Sequence, residues 1–178
     1  MITVNDVIRK IKQIDEDITV LPVELSDIIF EQNTKINCFY CGRYNNSWKC
    51  PPRIPDIDYK AMIHEFKSAA FIYKNFYINE ENRDTIRSDS TNLIHKCLLD
   101  LEKFFYDNNI ANSLSFIGGS CKLCKTGCGK EKCNNPYQAR MPVEAIGINV
   151  IKTLAQKGVN IDFPVIDEMK RVGLIIWN

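Results

Sequence analysis

Apolar residues along the chain follow two periods. Val7, Ile8, Ile11 and Ile14 recur at helical spacing, with Asn5 and Asp6 as candidate caps, and predict an opening helix. "ITVLPVEL" then reads as a short strand, and Ser26-Asp27 as the start of a second helix leading toward Cys38. "NCFYCGRYNNSWKCPPRIPDID" carries Gly42, several asparagines and three prolines, and predicts a loop. "SAAFIYKNFYI" (68–78) is rich in aromatic and β-branched residues, which suits a central strand. A long helix is expected near 82–109, where Ile94, Cys97, Leu98, Leu101, Phe104 and Phe105 recur at steps of three and four and share one apolar face. "NSLSFIGG" is a further strand. Pro142 marks a helix start, its apolar positions running from Val143 to Leu154 and Gly158 ending it; "VGLIIW" closes the chain as a strand. This order predicts an α+β or α/β fold, a mixed sheet backed by helices, with residues 1–178 as a single domain bearing two cysteine-rich loops.

Composition narrows the classes. At 178 residues, 45% apolar and 25% charged, the chain is ordinary for a globular domain. A net charge of +1 makes no case for a nucleic-acid partner, although positive charge is dense between Cys121 and Cys133. The start lacks the apolar core of a signal peptide, and no run approaches a membrane span, so a cytoplasmic protein with no membrane partner is expected. In a reducing cytosol, eight cysteines point to metal or redox chemistry rather than a disulfide framework.

Seven of these cysteines form two groups. Cys38, Cys41 and Cys50 are spaced C-x2-C-x8-C and followed by Pro51-Pro52; Cys121, Cys124, Cys128 and Cys133 are spaced C-x2-C-x3-C-x4-C, with Pro136 just beyond. Zinc and iron–sulfur clusters both take four thiolates. Structural zinc usually draws on two short knuckles a dozen or more residues apart, whereas one loop can wrap a cubane, as in the bacterial ferredoxin run C-x2-C-x2-C-x3-C-P. The second group looks like that run loosened by one residue in each of its last two gaps. Lys122, Lys125, Lys130 and Lys132 suit an anionic cluster and an acidic electron donor such as a ferredoxin or flavodoxin. Gly118, Gly119, Gly127 and Gly129 let backbone amides approach the sulfurs. The first group supplies three thiols and its loop no histidine, so a cubane there would keep one iron open to substrate or to a ligand from elsewhere in the fold. Cys97 could complete a fourth position, but its place on the apolar helix face reads as core; His64, Asp56 and Asp58 are alternatives for a zinc, and both histidines read as surface or boundary residues.

"CFYCGRYNNSWKCPP", "GGSCKLCKTGC", Cys133, Asn135-Pro136 and "ARMPVEAIGINV" together resemble the domain-of-unknown-function 2284 family of predicted metal-binding proteins, over approximately residues 38–150. The family pattern has a serine near Pro142-Val143, and the chain departs from it there. The resemblance implies metal binding through Cys38, Cys41, Cys50, Cys121, Cys124, Cys128 and Cys133, and it supplies no reaction.

The leading expectation is an iron–sulfur protein with two [4Fe–4S] clusters, acting in electron transfer or redox chemistry. An iron–sulfur enzyme binding substrate at the open iron, and a zinc-stabilised binding module, are the alternatives. Tyr40, Tyr44 and Trp48 could cover a cluster or anchor the loop. Arg43, Arg53 and Arg140 could bind a small anionic substrate or serve as surface ion-pair partners. Phosphate-loop, dinucleotide-binding, zinc-protease and radical-SAM spacings are absent.

Overall fold

The computed structural model describes residues 2–178, and its first helix, α1 (Val4–Ile14), begins ahead of the caps read from the sequence. Thr3 is the N-cap: the Asp6 carboxylate accepts from the Thr3 backbone N–H at 2.9 Å, and the Thr3 hydroxyl accepts from the Asp6 N–H. Asn5 and Asp6 therefore lie inside the helix. Val7 and Ile11 are its buried stripe.

Four strands follow the expected stretches: β1 (Thr19–Val23), β2 (Ser68–Tyr77), β3 (Ser113–Ile117) and β4 (Glu168–Trp177), in the order β1-β2-β4-β3. Every paired strand is antiparallel to its neighbour, so the fold is α+β. The parallel part of the expected mixed sheet is reduced to an isolated bridge between Ile117 and Pro142. The long helix α4 (Arg83–Asp107) carries the chain from β2 to β3, and β4 inserts between those two strands.

Side-chain alternation along the strands builds a core on each face of the sheet. Ala70, Ile72, Ile175 and Trp177 point to α1 and α4, where Ile94, Cys97, Leu98, Leu101 and Phe105 meet them. Phe71, Val172, Leu174 and Ile176 point the other way, onto Val143, Ile146, Ile148 and Leu154. α4 approaches β4 closely at Gly173, where a Cβ would stand 2.7 Å from Leu98 Cδ1. Cys97 is fully buried in this layer, as its place in the stripe predicts.

Two helix expectations need correction. From Ser26-Asp27 the chain makes only a 3-10 turn, Leu25–Asp27; the Ile29 N–H is then taken by the Thr153 hydroxyl, Phe30 bridges Ile148, and α2 (Gln32–Tyr40) starts beyond. Pro142 does not open a helix either. Val143 donates its N–H to the Ile117 carbonyl at 2.9 Å, Gly147 turns the chain at φ 95°, and α5 (Val150–Ala155) starts only after Asn149, whose side chain caps it. An unanticipated short helix, α3 (Tyr59–His64), is capped by Asp58. No helix among the described residues is long and apolar enough to cross a membrane.

β2 and β3 finish, and β4 starts, at the same end of the sheet. The cavity lined by Cys38, Cys41 and Cys50 takes in residues from that end, and the one lined by the second cysteine group takes in residues of the loop after β3 and of α4.

Candidate metal centre

Cys38 is not in a loop but in the last turn of α2, and Cys41 is the residue that ends the helix, its N–H bonded to the Cys38 carbonyl at 3.2 Å. Successive turns then return the chain: Tyr44 N–H to Cys41 O, Asn45 at φ 54°, Cys50 N–H to Ser47 O. Asparagine tolerates that left-handed backbone better than most residues. Cys38, Cys41 and Cys50 thereby line one cavity of about 600 Å³.

The second loop leaves β3 through Gly118, which lies so close to β4 that a Cβ would meet the Val172 carbonyl at 2.5 Å. Gly127, at φ 90°, donates its N–H to the Cys124 carbonyl and closes a turn. Cys121, Cys124, Cys128 and Cys133 line a second cavity of about 330 Å³. Asn135 Nδ2 lies 3.1 Å from the Cys124 sulfur, a side-chain donor on a thiol.

The loops are tied to each other. Trp48 Nε1 donates to the Gly129 carbonyl at 2.7 Å, and the Arg53 guanidinium stacks 4.4 Å from the centre of the indole. Gly129 is required there, since a Cβ would fall 2.2 Å from the Lys132 carbonyl. Cys50 is electrostatically within reach of both groups: burial pushes its thiol up, the Ser47 hydrogen bond opposes this, and negative charge on Cys41, Cys121 or Cys128 pushes it further up. Burial, with Glu144, Cys50 and Cys41 beside it, pushes the Cys38 thiol up to about 11. Such clustered thiols repel as thiolates and gain from a cation that neutralises them.

Among the described residues, no group of three Cys, His, Asp or Glu side chains is assembled to grip a single ion. The donor set nevertheless suits a metal group: seven free thiols, two cavities, and a side-chain donor on one sulfur.

The other candidates separate. His64 is exposed with Nδ1 2.7 Å from the Lys60 carbonyl, Asp58 caps α3, Asp56 is exposed, and none of them lines either cavity. His95 is fully buried, contrary to expectation, and its Nε2 lies 2.8 Å from the Gln138 carbonyl, fastening α4 to the chain beyond Cys133. Cys97 lines neither cavity, and burial pushes its thiol up to about 11. Tyr40 is 80% exposed; Tyr44 lines the larger cavity and Trp48 the smaller. Arg140 is occupied by Glu102 and by the Tyr137 and Ala139 carbonyls, and Arg53 by Trp48 and Asn45. Arg43 lines both cavities.

The sequence reading missed Glu144, Arg83, Arg87 and Arg171, all in the wall of the larger cavity. Glu144 accepts from the Gly119 N–H at 3.2 Å, and burial pushes its carboxyl up. Its one signal was a lone acid inside the apolar run Pro142-Val143-Glu144-Ala145-Ile146.

An α+β fold carrying two adjoining cysteine-lined cavities defines a cysteine-rich protein of metal-binding type. Residues 22–177 match the model of the family described as predicted metal-binding protein (DUF2284), and the chain belongs to that family. None of the curated proteins or solved structures compared with the chain matches it.

Proposed function

We propose that this is an iron–sulfur protein with two cubane sites, one held by Cys121, Cys124, Cys128 and Cys133 and the other by Cys38, Cys41 and Cys50, acting in electron transfer. The observation that carries the reading is that all four thiols of one loop line a single cavity, with the Asn135 side-chain amide 3.1 Å from the Cys124 sulfur. When bound, a cubane takes up and releases one electron at a time. The chain's own residues would set its potential and its access. Asn135 donates toward the Cys124 sulfur, and Lys125, Lys130 and Lys132 are exposed around the loop. An exposed lysine rim supports an acidic redox partner such as a ferredoxin or flavodoxin. Eight free thiols fit a reducing cytoplasm.

A second reading has its own observation. The three-cysteine group opens onto the larger cavity, of about 600 Å³, with Glu144 in the wall. Room of that size beside a three-thiol site suits a substrate, and the protein would then be an iron–sulfur enzyme rather than a carrier.

Cys124→Ser tests the two-site arrangement. Anaerobic iron and sulfide analysis of this variant is expected to show the loss of about four iron and four sulfide, with the other site retained. Loss of all iron together would contradict two separate centres.

A further inference from the structure

The larger cavity carries more positive charge than an anionic three-thiolate cluster would offset. Five cationic side chains, Arg43, Arg83, Arg87, Lys170 and Arg171, line it against a single carboxylate, Glu144. Among the described residues, none of the four arginines has a carboxylate within ion-pair distance. Arg171 is the most telling. It is partly buried, and its guanidinium contacts only neutral acceptors: Ser90 Oγ at 3.1 Å, the Gly118 and Arg87 carbonyls at 3.4 Å and the Met169 sulfur at 3.2 Å. Among the described residues Glu144 is the one opposite charge that acts on it, from beyond ion-pair distance, and the planar fork of a guanidinium suits a closer carboxylate or phosphate.

The positive groups also crowd one another. Arg43, Arg87 and Arg171 line the same cavity, and the Arg171 guanidinium reaches the Arg87 carbonyl at 3.4 Å. One side of the wall is apolar, with Ile161, Val165, Met169 and the 69%-exposed Phe163. Arg83 donates to the Val165 carbonyl at 3.3 Å and so fixes this stretch to the start of α4.

We propose that the cavity binds a small amphiphilic organic anion, its acidic head group on Arg87 and Arg171 and its apolar body along Ile161, Phe163 and Val165. A volume of about 600 Å³ lies within the range of small-molecule sites. The inference rests on the metal reading only in placing the anion beside the three-cysteine group; the charge imbalance itself requires no metal.

The test is calorimetric titration of the full-length, metal-loaded protein with octyl phosphate, octanoate, inorganic phosphate and octanol, with iron, sulfide and zinc assayed on the same sample. One amphiphilic anion is expected to bind at one site at least tenfold more tightly than both inorganic phosphate and octanol; whether it is octyl phosphate or octanoate identifies the head group. Arg87→Met should weaken that binding at least tenfold with metal content unchanged, and Arg83→Met should weaken it as a second, independent change. Lys96→Met, exposed on α4 and lining neither cavity, should leave it as it was. Amphiphilic anions that bind no more tightly than phosphate or octanol would overturn the proposal, as would wild-type affinity in both arginine variants. Zinc without sulfide would remove the redox reading while the titration still decides this one; iron and sulfide with no anion binding would do the reverse.

Discussion

Cys50 and Cys97 are both buried thiols, and their neighbours separate their roles. Cys97 stands among Ile94, Leu98 and Leu101 under the sheet, whereas Cys50 lines the larger cavity beside Cys38 and Cys41. Cys97→Ala is therefore expected to leave metal content unchanged and to cost on the order of 1 kcal/mol of stability, the cavity left by one atom. Metal analysis with chemical denaturation checks both, and a fall in metal would make Cys97 a ligand. Spacing made the seven motif cysteines legible, because short C-x2-C intervals have few other uses. It could not reveal Glu144, Arg87 or Arg171, whose neighbours come from segments distant in sequence. An arginine on a helix or strand reads as a surface charge until the fold shows what surrounds it.

Between elements, Trp48 and Gly129 join two loops that the sequence presents separately. Trp48→Phe keeps an aromatic ring but removes the donor, and is expected to cost about 1 kcal/mol and to speed loss of metal to a chelator. An unchanged rate would show that the loops close without this tie. A second link runs from Asp15, at the end of α1, to Lys74 of β2 at 2.8 Å. Burial raises the Asp15 carboxyl, but hydrogen bonds from Lys74 and the Asp17 N–H outweigh it and hold the group below its usual range. A depressed carboxyl contributes fully above its unfolded value of about 3.9 and loses that contribution as pH falls through the folded value. Asp15→Asn should therefore cost on the order of 1 kcal/mol at neutral pH, and the difference from wild type should close in acid. A difference persisting below the carboxyl range would assign it to packing. Strands and the long helix were legible from periodicity, while α2 and the 142–149 connection were not. Their course is set by distant partners, the Thr153 hydroxyl, Ile148 and the Ile117 carbonyl, which override local pattern.

For the molecule as a whole, the sheet positions the chemistry at one end. α1 and α4 cover one face and the 142–155 region the other, so the loop leaving β3 and the start of β4 meet beside α2 and the start of α4. The cysteine-lined cavities adjoin there and share Arg43, an arrangement that would let one centre influence the other. The central claim is that these thiols hold iron–sulfur groups. Its most direct test is iron, acid-labile sulfide and zinc per chain after purification without oxygen. About eight iron and eight sulfide are expected for two cubanes; about one or two zinc without sulfide would contradict the account and leave a zinc-stabilised binding module in its place.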